Sequence, residues 1–447
     1  MTSARLAAAR TLVALERGRS TLAADAERER PDLADSRDRG LFLEIVTGAV
    51  RWRAELDACL AACSRRTIKD LTPEVRAVLR TAAYQLLHLD RVPAHAAVSE
   101  AVETMRALGQ PRAAGFVNAV LRKLTLPTVR TVLPARPQDA GDRGAALQYL
   151  STTLSHPRWL IERWLDRFGF EATERWCLFN NEPPTLTVRW ISPSNASLGH
   201  ALQEAGLDAA PSRFIPNAYC LAPGVLGRLP ADLKNAVLVQ DEGSQIVAHS
   251  VGAQPGQRVF DVCAAPGGKA LILAEAVGES GIVIAADLRP ARVALLQAQI
   301  RRSGRPVPIV RVDATGPLPF GETFDRVLLD APCSGLGTLR RDPDLKWTRT
   351  EADLAPLVHA QLAMIGRAAT VVRPGGALIY ATCSSEPEEN EGVVNTFLDG
   401  AGEFEWASLA GNAEASLLTA RGSLQTLPHR DALDAFFAAK LVRTSAA

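Results

Sequence analysis

The stretch LTPEVRAVLRTAAYQLLHLD, residues 71–90, puts Val75, Val78, Leu79, Ala82, Leu86 and Leu87 on one stripe at helical spacing. Thr72 is a capping residue type and Pro73 suits the first helical position, so a helix is expected from Pro73 onward. AHAAVSEAVETMRAL and AAGFVNAVLRKL, residues 94–108 and 113–124, repeat the pattern, and no strand-like alternation competes. Residues 1–125 therefore read as an all-α domain. Residues 126–150, with Pro127, Pro134 and Pro137 and a glycine-rich charged end, read as a linker. Residues 151–235 are mixed: a helix around PRWLIERWLDRFG, a strand at PPTLTVRW, then turns. They form a small α+β segment, for connection or RNA binding, whose chemistry the pattern leaves open.

From residue 236 the rhythm changes. QRVFDVCAA, GIVIAAD, VPIVRVDA, FDRVLLDAP and GALIYATCS are short runs rich in Val, Ile and Leu. Helical segments at 269–277, 290–303, 351–372 and 388–398 separate them. Such alternation builds a parallel sheet covered on both faces, so residues 236–447 are expected to be α/β. LQTLPHRDALDAFFAAKLVR, residues 424–443, supplies two more strands that would close the far edge.

A length of 447 residues suits two or three domains, and no apolar run nears the roughly 18 residues that cross a bilayer. The opening MTSARLAAARTLVALERGRS is broken by Arg5 and Arg10 and reads as a first amphipathic helix rather than a secretory signal; a cytoplasmic protein is expected. Net charge is +1 overall but uneven. Residues 1–125 hold 20 Lys and Arg against 15 Asp and Glu, a net +5; residues 236–447 hold 19 against 24, a net −5. The helical front is thus the better partner for a polyanion. Seven scattered cysteines argue against a disulfide framework, and the i, i+4 pair Cys59 and Cys63 reads as two buried thiols rather than half a metal site. No metal is expected.

The chemistry lies at the ends of the apolar runs, where open parallel sheets bind ligands. The first ends in DVCAAPGGKA, whose Gly267 and Gly268 precede a helix and let backbone approach a ligand. Neither a Walker loop nor GxGxxG is present, which disfavours an NTPase and a dehydrogenase. Asp287 ends the second run and Asp313 the third; an acid at the second position can bind ribose hydroxyls. The fourth ends in Asp330-Ala331-Pro332-Cys333 and the fifth in Thr382-Cys383-Ser384. Either thiol alone would read as packing. Two thiols and a carboxylate on adjacent strands, about 4.8 Å apart, face one pocket. Such a pair suits a pyrimidine: thiolate addition at carbon 6 makes carbon 5 nucleophilic towards an activated methyl group.

DVCAAPGGK, DAPCSGLG with RRDPDLKW, and YATCS with PEENE resemble the RNA 5-methylcytosine methyltransferases. The helical front resembles a NusB-type RNA-binding domain. The combination, with VQDEGSQ at the junction, is similar to the RsmB (Sun or Fmu) family that modifies small-subunit ribosomal RNA. The resemblance covers nearly the whole chain and is vaguest over residues 126–235. It implies a Rossmann-like methyltransferase domain, S-adenosyl-L-methionine as cofactor, ribosomal RNA as partner and a monomer. It makes Cys383 the nucleophile, Cys333 the group for product release and Asp330 a contact to the base, with Lys269 beside them. Cys263, Ala264, Ala265, Pro266, Gly267, Gly268 and Lys269 would wrap the cofactor. Asp287 would take its ribose and Asp313 its adenine, with Arg292 and Asp330 among the contacts. DNA cytosine methyltransferases use the Pro-Cys thiol instead, so the reverse assignment stays open. Ala270 and Ala435 depart from the family's usual threonine and glycine. Transfer RNA as substrate, or an RNA-binding assembly factor without catalysis, are the alternatives. Arg340, Arg341 and Lys346 are candidate phosphate contacts, and Trp347 suits either stacking on a base or packing in the core.

Overall fold

A computed structural model describes residues 3–18, 21–33, 35–64, 66–191, 197–222 and 224–444. Two compact units emerge: one runs up to Pro183 and includes Leu339–Glu351, and the other holds Pro184–Thr338 and Ala352–Ala447.

In the first unit, helices Ala4–Glu16, Ser36–Arg51, Arg53–Cys63, Pro73–His88, Ala94–Ala107 and Ala114–Leu124 enclose a core of Leu12, Phe42, Ile45, Leu60, Leu79 and Leu121. The expected stripe turns inward: Val75, Val78, Leu79 and Ala82 are buried, and Leu86 and Leu87 half-buried. Thr72 caps the helix that starts at Pro73. Cys59 and Cys63 pack in the same core, where burial pushes the Cys59 thiol up to about 11. The helix expected around residues 157–169 runs on, as Arg158–Asn181 with a break at Gly169, and buries Trp164 stacked on Trp176.

Leu339–Glu351 corrects the readings of Lys346, Trp347 and Arg340. Lys346 is fully buried and donates to Asn181 Oδ1 at 2.7 Å and to the carbonyls of Ser155 and Arg51. Burial pushes its pKa well down. Trp347 Nε1 donates to the Val50 carbonyl, and its ring packs on the helical core. Arg340 lies over the Phe179 ring and donates to the Pro183 carbonyl. These side chains hold the segment in place rather than offering charge or a ring to RNA. Their spacing after the Pro-Cys stretch carries no sign of burial, so sequence alone reads them as a basic patch.

The second unit starts with a small antiparallel sheet of β1 (Leu186–Trp190), β2 (Ala209–Pro211), β3 (Tyr219–Leu221) and β4 (Val237–Val239), in the order β2-β3-β1-β4. The main sheet contains β5 (Arg258–Asp261), β6 (Ile282–Asp287), β7 (Ile309–Arg311), β8 (Phe324–Asp330), β9 (Val372–Thr382), β10 (Phe404–Ala407), β11 (Leu424–Gln425) and β12 (Phe437–Arg443). Its order is β10-β12-β9-β8-β5-β6-β7, with β11 paired to β12. Strands β5 to β9 run parallel, whereas β12 is antiparallel to β9 and β10. This is a Rossmann-like sheet. Its far edge is β10 rather than the last strand, because β12 inserts between β9 and β10. The FEWA run of β10 is too short to signal a strand by alternation.

Strand β5 has β6 on one side and β8 on the other, which puts the switch in strand order at the carboxyl ends of β5 and β8. Beyond β8, the chain folds back on the neighbouring strand ends. Gly337 N–H donates to the Cys383 carbonyl, and Ala435 N–H to the Gly337 carbonyl. A Cβ on Gly337 would lie 2.1 Å from the Ala435 carbonyl oxygen and 2.7 Å from that of Cys383. Ala435, which replaces a usual glycine, is itself tolerated because it takes part here through its backbone. Gly337→Ala is expected to cost about 3 kcal/mol in urea denaturation; a loss under about 0.5 kcal/mol would contradict this stitching.

Candidate active site

Asp330 ends β8 and pairs in register with Ala381 of β9, so the two strands deliver Cys333 and Cys383 side by side. Their sulfur atoms are 3.2 Å apart. Both thiols are half-buried rather than sealed. Lys269, one residue into the helix Gly268–Val277, reaches Asp330 Oδ2 with its Nζ at 2.7 Å. The four side chains expected to carry chemistry thus meet at one end of the sheet.

Their electrostatic neighbours differ. Burial would lower the pKa of Lys269, but Asp330, with Asp261 and Cys383 nearby, more than offsets this and holds it above the ordinary value. Cys333 is pushed well up, first by its hydrogen bond with Cys383, then by burial and by the nearby Cys383 and Glu389. A cation therefore faces Cys383 and a carboxylate faces Cys333. The third thiol nearby, Cys263, is held protonated by burial and by Asp330, Asp261 and Asp287.

The glycine turn after β5 forms a cradle. Gly267 has a φ of 114°, a left-handed conformation open to glycine, and precedes the helix Gly268–Val277. A small cavity there is lined by Gln240, Cys263, Pro266, Gly268, Lys269 and Asp330. Asp287, buried at the end of β6, accepts from Arg289 N–H and Arg292 Nε, and Arg292 also donates to the Ala265 carbonyl. Asp313 lies beyond β7, exposed, with Oδ1 taken by the backbone and hydroxyl of Thr315. Ala270 is fully buried in helix packing and faces the core.

Three contributions escape the sequence reading. Arg189 on β1 is buried, donates to the Gly268 carbonyl at 2.9 Å and bonds Gln240, so the small sheet braces the cradle. Glu389 is fully buried between the two cysteine loops. Asp261, at the end of β5, is fully buried, and neither carboxylate oxygen has a hydrogen-bond partner. An acid at a strand end is visible in DVCAAPGGK, but its isolation is a three-dimensional fact.

A Rossmann-like sheet with a glycine cradle, an orphan carboxylate and two thiols at its switch point defines a methyltransferase. Models for the 16S rRNA methyltransferase RsmB/F, for the NusB family and for the RsmF/B-like ferredoxin-like domain match residues 248–442, 2–125 and 156–225. The chain is 33% identical to the probable ribosomal RNA small subunit methyltransferase B of Bacillus subtilis, over 98% of both chains. It is 34% identical to the ribosomal RNA small subunit methyltransferase B of Pseudomonas syringae pv. tomato, over 99% of this chain and 97% of that one. Among solved structures, PH0851 aligns with a TM-score of 0.79 at 24% identity, covering 99% of each chain. NSun6 from Pyrococcus horikoshii, solved with SFG, aligns with a TM-score of 0.57 at 22% identity, covering 65% of this chain and 99% of that one. The chain belongs to the RsmB/F family of 16S rRNA methyltransferases, with a NusB domain in front.

Burial pushes the carboxyl of Asp261 up to about 7, Lys269 opposing and Asp330 and Asp287 adding to the rise. A raised folded-state value favours the protonated form. The stability tied to Asp261 is therefore full below about pH 4 and lost as the pH rises through about 7. Asp261→Asn is expected to gain on the parent protein by about 2–4 kcal/mol between pH 4 and pH 8 in ligand-free urea denaturation. A difference that stays flat with pH would contradict the raised value.

Proposed function

We propose that the protein transfers a methyl group from S-adenosyl-L-methionine to carbon 5 of a cytosine in small-subunit (16S) ribosomal RNA, through a covalent bond between Cys383 and carbon 6. The observation that carries this reading is the 3.2 Å contact between Cys333 and Cys383, with a cation at one thiol and a carboxylate at the other.

The residues present fit the cofactor. S-adenosyl-L-methionine is cationic and supplies an electrophilic methyl group on sulfur. The unpartnered carboxylate of Asp261 suits a cationic ligand, and burial beside Lys269 keeps it ready to ionise when one arrives. Gly267 and Gly268 leave room for close approach, and Asp287, held by Arg292, offers a carboxylate to ribose hydroxyls. Asp313 is assigned to the adenine end. The solved relative carrying SFG, an analogue of the cofactor, supports the same fold for this task.

On the substrate side, the base must leave its stack to reach sulfur atoms at a sheet rim. Cys383, with the Lys269 ammonium nearby, adds as thiolate to carbon 6 and makes carbon 5 an enamine nucleophile. Asp330, fixed by Lys269 at 2.7 Å, faces the ring and steadies the adduct. After methylation the carbon-5 proton passes to solvent water as base, the carbon 6–sulfur bond breaks while the 5,6 double bond re-forms, and Cys383 leaves as a thiolate that the protonated Cys333, 3.2 Å away, stabilises by hydrogen bonding. The basic helical domain, net +5 over residues 1–125, binds the RNA. The names of the full-length relatives support ribosomal RNA as substrate.

Incubation with cofactor and 16S RNA, followed by denaturing electrophoresis, tests the assignment. Cys333→Ala is expected to accumulate a covalent protein–RNA band, and Cys383→Ala to form none. The reverse pattern would exchange the two roles, and no methylation of ribosomal cytosine by the parent protein would end the reading.

A further inference from the structure

Glu389 lies seven residues past Thr382, the last paired residue of β9, yet it touches both cysteine loops. Its Oε1 accepts from Ser334 N–H at 2.8 Å and from Gln361 Nε2 at 3.0 Å. Its Oε2 accepts from the hydroxyls of Ser334 at 2.6 Å and Ser384 at 2.5 Å. Ser334 follows Cys333 and Ser384 follows Cys383, so one carboxylate bonds the residue after each thiol. The group is fully buried, and four donors satisfy it. Around it, Tyr380 donates to the Glu389 carbonyl, and Asn390 ties Thr382 to the Ser384 carbonyl.

We propose that Glu389 is a positioning residue for the methyl-transfer reaction: its carboxylate, buried between the cysteine loops and bonded to the residue after each thiol, sets the spacing of the two thiols and the order in which they react. The inference rests on the reading of Cys383 and Cys333 as the reacting pair. The titratable groups facing the pair are Lys269 and Asp330 on the cofactor side and Glu389 and Tyr380 behind it. Lys269 is the cation at Cys383, and Glu389 is the carboxylate whose bonds reach the Cys333 loop. The carboxylate is spent on hydrogen bonds at both loops, so its effect on Cys333 is electrostatic and through position, not as a proton carrier.

Alkylation of the reduced full-length protein by iodoacetamide, without RNA, with rates assigned to each cysteine peptide by mass spectrometry, tests this. In the parent protein Cys383 is expected to react at least about tenfold faster than Cys333 near neutral pH. Glu389→Gln keeps the shape and removes the charge; the Cys333 rate should rise about tenfold and the gap close. Glu389→Asp keeps the charge and shortens the reach; Cys383 should still react first, while methyl transfer to RNA falls at least about tenfold through lost positioning. A gap unchanged within about twofold in Glu389→Gln, or its loss in Glu389→Asp, would overturn the proposal. If Glu389→Gln does not fold, Glu389→Asp decides alone: loss of the reaction order, or full methyl transfer, overturns it. Alkylation needs no RNA, so an absence of cytosine methylation with the order intact would sink the proposed function and leave this inference standing.

Discussion

Everything at this site depends on the parallel pairing of β8 with β9. That pairing sets Asp330 opposite Ala381 and continues past the strand ends, where the Ala331 N–H donates to the Ala381 carbonyl and the Gly337 N–H to that of Cys383. Each loop is short and tied at both ends, so the thiols have little freedom to drift from their 3.2 Å contact. Parallel neighbours bring their carboxyl ends to the same rim. A fold of this kind brings two sequence positions fifty residues apart together as one pair of neighbouring thiols.

Position alone would leave two equivalent thiols. The asymmetry comes from what stands behind each one. Lys269, drawn in by Asp330 from the first turn of a helix, sets a cation near Cys383, while Cys333 is pushed up by its hydrogen bond with Cys383, by burial and by Glu389. Meanwhile Asp261 is fully buried at the end of β5 with neither carboxylate oxygen hydrogen-bonded, a costly placement for a polar group. The small antiparallel sheet contributes as well, since Arg189 of β1 and its partner Gln240 hold the backbone at Gly268.

Much of this was legible in the residues. Helical stripes such as Val75 to Leu87 follow from a period of 3.6, and the Val, Ile and Leu runs of β5 to β9 follow from burial on both faces. Strand ends could be read because polar residues interrupt those runs at Asp287, Asp330 and Thr382. What could not be read depends on side chains converging from distant positions. Lys346 and Trp347 look like an RNA-facing patch until the carbonyls of Arg51, Ser155 and Val50 are seen to receive them. Glu389 sits in an acidic run, PEEN, where a solvated surface is the natural reading, and only the Ser334 and Ser384 hydroxyls reveal otherwise. Strand β10 is four residues long and pairs with β12, which no local pattern specifies.

The central claim is that Cys383, not Cys333, bonds the target base. Ribosomal RNA carrying 5-fluorocytosine tests it directly, because fluorine cannot leave carbon 5 as a proton does and the adduct should persist after methylation. Digestion of the trapped complex and mass spectrometry would identify the linked peptide. The account predicts a nucleotide on the Cys383 peptide; the same mass on the Cys333 peptide, or no adduct despite cytosine methylation, would contradict it.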